Sequence, residues 1–210
     1  MRSCALRFWG SRTAAALILL LFARLVWAGD PRSQSTIRLD KGPPVTYDIP
    51  GKVQSYYESS PQAIDAMLAL AGIHLGDVVY DLGSGDGRIV FAAARRGVRA
   101  VGIEIDPLLV SSSRKGVKVL GLQGAAEIRE GDFFKVSFAD ATVVTLFLGD
   151  EVNTMLKPSL QRLKRGTRIV SNSHVIEGWQ PDKSGRIQDC QSSNNKTERE
   201  ICKVFLWVVK

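Results

Sequence analysis

The residues of this 210-residue chain best suited to chemistry are acids set beside glycines. In Val79-Tyr-Asp-Leu-Gly-Ser-Gly-Asp-Gly-Arg88, Asp81 stands two residues ahead of three alternate glycines, Gly83, Gly85 and Gly87, with Ser84 and Asp86 between them. Glycine serves where the backbone must turn with positive φ, or where a ligand must come close to the main chain. A dinucleotide loop spaces its glycines G-x-G-x-x-G and would place one at position 88, where this chain has Arg88. A carboxylate at Asp81 would also repel a pyrophosphate, whereas it would attract an ammonium group. Nineteen residues beyond Gly85, Glu104 lies in Val101-Gly-Ile-Glu-Ile-Asp-Pro107, where a carboxylate can accept from both hydroxyls of a ribose. Farther along, Asp132 in Gly131-Asp-Phe133 can accept from an adenine amino group while Phe133 packs on the ring.

Each piece has a bland reading by itself: a plain turn, a surface charge, a loop packing its own aromatic. Taken in this order they fit a ligand with an ammonium group, a ribose and an adenine but no phosphate. S-adenosylmethionine (SAM), a sulfonium, is such a ligand. NAD is disfavoured by Arg88 and by the sign of the charge at Asp81. No Cys/His cluster has the spacing of metal ligands, so no metal is expected.

These groups need strand ends to hold them. Val78 to Leu82 is a short apolar run that ends in the glycine cluster and reads as a buried parallel strand. Further strands are expected at 98–105, 126–129, 141–148 and 166–171. Between them lie helices: one from Pro61, capped by Ser60 and stopped at Gly72; one over 88–96; one opened by Pro107; and one over 152–163 that Pro158 should bend or interrupt. Two last strands, 186–190 and 201–209, flank a polar loop as an antiparallel hairpin. The expected fold is α/β and Rossmann-like, a mostly parallel sheet ending in an antiparallel hairpin, with helices on both faces.

Asp81-Leu-Gly-Ser-Gly-Asp-Gly-Arg88 together with Gly102-Ile-Glu-Ile-Asp-Pro107 resembles the seven-strand class I SAM-dependent methyltransferases. Within them the chain looks similar to the small lysine methyltransferases of the mitochondrial ATP-synthase c-subunit and adenine-nucleotide-translocase type and their bacterial relatives. The likeness covers roughly residues 56–209 and includes Tyr57, Pro61 to Leu68, Glu151-Val-Asn153, Leu156-Lys-Pro158 and Gly166 to Ser171. It implies a methyl transfer to an amine, a protein lysine above all, with SAM as donor. It also implies SAM contacts at Tyr57, at the glycine loop (Asp81, Gly83, Ser84, Gly85, Asp86, Gly87) and at Glu104, Asp132 and Phe133. Gly149-Asp150 and Ser171-Asn-Ser-His174 depart from the relatives' pattern on the substrate side.

The loop after the fourth strand reads Leu148-Gly-Asp-Glu-Val-Asn153 and lacks the Asn-Pro-Pro-Tyr or Asp-Pro-Pro-Tyr of nucleobase amino methylation, so no nucleic-acid partner is expected. Asp150 and Glu151 are the candidate catalytic pair; alternatively Asp150 caps the next helix and Glu151 sits in its first turn. His174 could be a base or a packing residue, and Trp179 could wall a groove or fill the core.

Composition is that of a soluble globular chain, 45% apolar and 23% charged. The +7 charge falls to +3 once residues 1–28, with Arg2, Arg7, Arg12, Arg24 and no acid, are set aside. That surplus says little about partners. Residues 1–28 read as a signal peptide: basic start, apolar Ala14 to Ala23, then Val26-Trp-Ala28. An N-terminal anchor, giving a membrane association, or an organelle presequence are the alternatives. The chain would then be exported or membrane-anchored, or else mitochondrial or on an anchor facing the cytoplasm. A Pro-rich extended lead-in over 29–55 would precede the methyltransferase domain at 56–210. Beyond the signal only Cys190 and Cys202 remain, either as one disulfide or as two buried thiols. An export address conflicts with use of an intracellular donor, so a non-catalytic SAM-fold binding protein is the alternative function.

Overall fold

In the computed structural model, which describes residues 58–188 and 201–210, the strand and helix signals resolve into a seven-strand sheet. Its strands are β1 (Val78–Leu82), β2 (Arg99–Glu104), β3 (Ala126–Glu130), β4 (Val143–Leu146), β5 (Arg168–Asn172), β6 (Lys183–Gln188) and β7 (Ile201–Val208). Their spatial order is β3-β2-β1-β4-β5-β7-β6. The first five are parallel, and β7 slots in antiparallel to both β5 and β6. Tyr57, the amino-terminal segment, the lead-in and Cys190 lie outside the described residues. Among the described residues no helix is long and apolar enough to cross a membrane.

Alternation along the strands splits the core in two. Val79, Ala100, Val143, Val170, Val204 and Leu206 face one side, against α1 (Pro61–Leu70), α2 (Arg88–Ala94) and α3 (Pro107–Val119). Tyr80, Leu82, Val101, Ile103, Val144, Leu146, Ile169 and Trp207 face the other side, where α4 (Asp150–Gln161) inserts Val152, Leu156 and Leu160. Strands buried on both faces need such near-continuous apolar runs. Trp179 packs on this second core, and Trp207 Nε1 donates to its carbonyl at 2.8 Å.

Helix starts follow their local chemistry. Ser60 Oγ accepts from Ala63 N at 3.1 Å with Pro61 behind it, and Asp106 accepts from Leu108 N at 2.8 Å with Pro107 behind it. One expectation and one alternative reading need correction. Pro158 does not interrupt α4, which runs through it to Gln161. One intrahelical bond is lost, but buried Leu156 and Leu160 hold the helix to the sheet on either side. The helix also begins at Asp150 with Gly149 as its N-cap, so Asp150 does not cap it. In the hairpin β6 starts three residues earlier than expected, and Cys202 lies opposite Ile187. Cys202 is disulfide-bonded, to a partner beyond the described residues.

The amino-terminal edge of the sheet is held by charge. Asp77 is buried and takes hydrogen bonds from Thr142 Oγ1 (2.7 Å), from His74 N (2.8 Å) and from Arg168, whose other nitrogen reaches the carbonyls of Ala71 and Gly72. Burial alone would raise the Asp77 carboxyl; these donors outweigh it and hold the group below its ordinary range.

Candidate active site at the carboxyl edge of the sheet

Register decides what meets what. Leu82 pairs with Ile103 on one side and with Leu146 on the other, and Leu146 pairs with Ser171. The residues that follow, Gly83, Glu104, Phe147 and Asn172, therefore line up along one edge of the sheet. Chain order reverses between β1 and β4 at this edge, the place where open α/β sheets leave a crevice.

The glycine loop turns as its spacing predicted. Gly83, Gly85 and Gly87 have φ of 75°, 54° and 83°, in the left-handed region that other residues rarely enter. Gly83 N and Ser84 N both donate to Ile103 O, at 2.9 and 3.0 Å, and lash the loop to β2. Ser84 turns its hydroxyl into the space left by Gly102, where a Cβ would come within 2.5 Å of it. That hydroxyl is buried without a hydrogen-bond partner. Asp86 is bound to Arg88 through both oxygens, and Arg88 also reaches Ser59 O and Glu58. Asp86 thus clamps the segment that enters α1.

Two acids occupy the floor. Asp81 is buried, and its Oδ1 accepts from Thr145 Oγ1 at 2.7 Å. Burial pushes its carboxyl from the ordinary 3.8 up to about 7; the Thr145 bond offsets part of this, and the nearby acids Glu104 and Asp86 add to it. Glu104 is raised too, chiefly by burial, against the backbone N–H groups it accepts. These are Gly85 N at 2.7 Å, Ile105 N at 2.8 Å and Asp106 N at 2.9 Å. They use three of about four acceptor positions on the carboxylate. One ribose hydroxyl can take the fourth, and bridging both requires release of the Gly85 N–H.

The aromatic at the third strand is displaced by one residue from expectation. Phe133 lies in the second core, 3% exposed, because a helical turn from Asp132 to Val136 points it inward. Phe134, 44% exposed, is the ring that faces out, with Ile105 and Leu108 also exposed beside the edge. Asp132 accepts from Phe134 N at 2.9 Å and pairs with Lys135 at 3.3 Å.

Across the switch point, Asp150 and Glu151 lie exposed in the first turn of α4, as the helix dipole favours. Asp150 Oδ1 accepts from Val175 N at 2.8 Å and lies 3.1 Å from His174 Nδ1. Four side chains of α4 strap down the loop after β5. Besides Asp150, Asn153 Nδ2 donates to His174 O at 3.5 Å and to Ser171 Oγ of β5 at 3.1 Å, Thr154 Oγ1 accepts from Glu177 N at 2.9 Å, and Lys157 Nζ donates to Gly178 O at 2.7 Å. Ser173 carries a φ of 63°, a strained value for a residue with a Cβ.

Sequence reading missed Thr145, Phe134, Phe147 and Asn153. Thr145 had a signal, a lone hydroxyl in the apolar run Val143 to Leu146. Asn153 had the matching one, a polar residue on the inward stripe of α4. Phe134 had none that separates it from Phe133. Among the described residues no group of three or more His, Cys, Asp or Glu side chains could hold a metal.

Comparison with known proteins gives a consistent family. The sequence pattern of the ANTKMT methyltransferase domain matches residues 81–183. A protein-lysine N-methyltransferase of Saccharolobus islandicus is 41% identical over 137 residues, 64% of this chain and 85% of the relative. A mouse adenine nucleotide translocase lysine N-methyltransferase is 37% identical over 63% of this chain, which spans 59% of that relative's length. A crystal structure titled as an RNA methyltransferase from Salinibacter ruber in complex with S-adenosyl-L-homocysteine is 41% identical, with a TM-score of 0.64 over 72% of this chain and 93% of that one.

Proposed function

We propose, from the premise that this chain belongs to the SAM-dependent methyltransferases that carry the ANTKMT methyltransferase domain, that it methylates lysine amines of a protein. The observation that carries the site assignment is the pair of buried carboxyls, Asp81 and Glu104, at the ends of adjacent strands beside a positive-φ glycine loop. The charged neighbours that act on Asp81 are themselves acids. A ligand that brings a cation and hydroxyl donors relieves that arrangement, and one that brings a pyrophosphate worsens it. The residues present therefore fit SAM.

Bound SAM supplies a methyl group made electrophilic by its positive sulfur. In this assignment Asp81, ionised, takes the donor's ammonium. Glu104 holds the ribose, Asp132 meets the adenine amino group, and Phe134 with Ile105 flanks the ring. The backbone of Gly83 to Gly87 lets the ligand approach closely. The rest is alignment of an amine with the methyl carbon, and orientation of this kind contributes on the order of 7–11 kcal/mol. Support for a lysine acceptor comes from the curated relatives' names, and for an amine over a nucleobase from the absence of a Pro-Pro-Tyr motif after β4. The non-catalytic alternative is not favoured, since the motif acids are all present and the relatives are enzymes. Residues 1–28 are proposed to export or anchor the chain, with a cytoplasm-facing anchor or mitochondrial import as the arrangements that keep it beside its donor.

The test pairs binding with transfer. At 100 times its dissociation constant a ligand stabilises by about 2.7 kcal/mol. SAM and S-adenosylhomocysteine should raise the unfolding midpoint and NAD should not. Labelled SAM is then offered with lysine-rich protein and with total RNA. Label in protein, sensitive to prior blocking of its amines, is the expected result; label in RNA alone refutes the lysine assignment.

A further inference from the structure

A carboxylate, an imidazole and an aromatic ring meet on the acceptor side of the crevice. His174 Nδ1 lies 3.1 Å from Asp150 Oδ1, and the His174 ring stands 6.0 Å from that of Phe147 at an angle of 34°. An ionised carboxylate can only accept, so in the neutral imidazole the proton must sit on Nδ1, leaving the lone pair on Nε2. The backbone fixes this orientation. His174 N donates to Asn172 O at 2.7 Å and Ser173 N to Lys203 O at 2.7 Å, with Ser173 held at φ 63° between them. Asp150 is fixed in turn by Val175 N, and buried Asn153 supports Ser171 from below. Strain of this kind persists only where the surroundings enforce it, and it concentrates at functional sites.

Position agrees with such a role. Phe147 and Asn172 follow paired residues on β4 and β5, next to Gly83 at the end of β1. Strands lie about 4.8 Å apart, so the end of β5 is roughly 10 Å from the glycine loop, within the span of one bound donor and its acceptor. The other charged residues of the elements around His174 are Glu151 and Lys157 on α4, Arg168 on β5, Glu177 and Asp182 in the loop, and Lys203 on β7.

We propose that His174 is the base that takes the proton of the acceptor ammonium, with Asp150 as the positioning residue that sets its tautomer. The role rests on the lysine assignment above. The proton passes from the lysine Nζ to His174 Nε2. The freed amine lone pair then forms the N–CH3 bond as the C–S bond breaks, and that electron pair stays on sulfur. A lysine ammonium ordinarily keeps its proton to about pH 10.4, and the positive charge of a donor bound beside it would lower that value toward the reach of an imidazole.

Two readouts test it on the full chain. The chain has only two histidines, His74 and His174, so 15N imidazole spectra are assigned with His74→Gln. In the presence of S-adenosylhomocysteine, neutral His174 should carry its proton on Nδ1, and Asp150→Asn should shift it toward Nε2. A proton on Nε2 in the unaltered chain overturns the proposal. The second readout is methyl transfer to poly-L-lysine from pH 6 to 10. His174→Gln, with SAM-induced stabilisation retained, should cost about 100-fold at pH 7, and the loss should shrink towards pH 10 as solvent removes the amine proton. A loss that is absent or independent of pH overturns the role of His174 while leaving the lysine assignment intact. An unaltered chain inert on poly-L-lysine refutes the lysine assignment, and the base role with it, whatever the tautomer.

Discussion

Replacing Asp81 with asparagine should make the ligand-free protein more stable at neutral pH and unable to hold its donor. Protonation of Asp81 is linked to folding. Burial lifts the Asp81 carboxyl from 3.8 to about 7, so between those values the folded protein binds a proton that the unfolded chain does not. Such a group contributes its full stability below about pH 4 and loses it as pH rises through the folded value. At about 1.4 kcal/mol per unit, the loss approaches 4 kcal/mol by pH 8. Asparagine cannot ionise, yet it keeps a carbonyl for the Thr145 hydroxyl that now bonds Oδ1. Its amide protons need a partner, and a buried unmatched donor costs about 1–3 kcal/mol. The net gain for Asp81→Asn at pH 8 is therefore about 2 kcal/mol, a rise of roughly 4–8 °C in a domain of this size. Urea unfolding of both proteins from pH 4 to 8, without ligand, measures it. The difference between variant and parent should grow steadily over that range, and SAM should stabilise the parent alone, increasingly so at high pH. A difference that stays flat from pH 4 to 8 would refute the idea that Asp81 is held against its charge until a cation arrives.

Three further outcomes follow from the same geometry. Phe133→Ala should cost about 3–5 kcal/mol of stability as a core truncation, whereas Phe134→Ala should leave stability nearly unchanged and weaken SAM binding about tenfold by calorimetry. Asp77→Asn should destabilise by about 2–3 kcal/mol at pH 7, because it leaves the Arg168 guanidinium without its buried counter-charge; since the carboxyl is held low, the deficit should fade only as pH drops below about 4, which acid unfolding curves would reveal. Ser173→Gly should relieve the positive φ and stabilise by up to about 1 kcal/mol, while methyl transfer to poly-L-lysine falls as His174 loses its fixed setting.

Much of the sheet was legible because the strands are buried on both faces, so apolar runs ending in glycine or acid marked them directly. Asp81, Glu104 and the three glycines were legible for a different reason: their spacing encodes a turn and a charge, both local properties. Phe133 and Phe134 were not separable, since which ring turns inward depends on a single helical turn from Asp132 to Val136. Whether Asp150 serves the acceptor side or caps α4 was not separable, because a carboxylate at a helix start has two uses and its engagement with Val175 lies 25 residues away. Propensity alone left Pro158 free to interrupt α4, where packing of Leu156 and Leu160 keeps the helix continuous. The Asp150–His174 contact is a product of strand register, which no local pattern records.

The strapping of the 174–178 loop to α4 has a consequence for descent. Residues 150, 153, 154 and 157 fall on one stripe of the helix, so helix and loop are mated parts. Neither can drift in sequence without spoiling the other, whereas the half that spans residues 81–134 makes no use of those straps. Exchange of residues 147–178 between relatives as a single cassette should transplant acceptor preference intact, and crossovers placed inside that cassette should yield chimeras that keep their donor but lose their target.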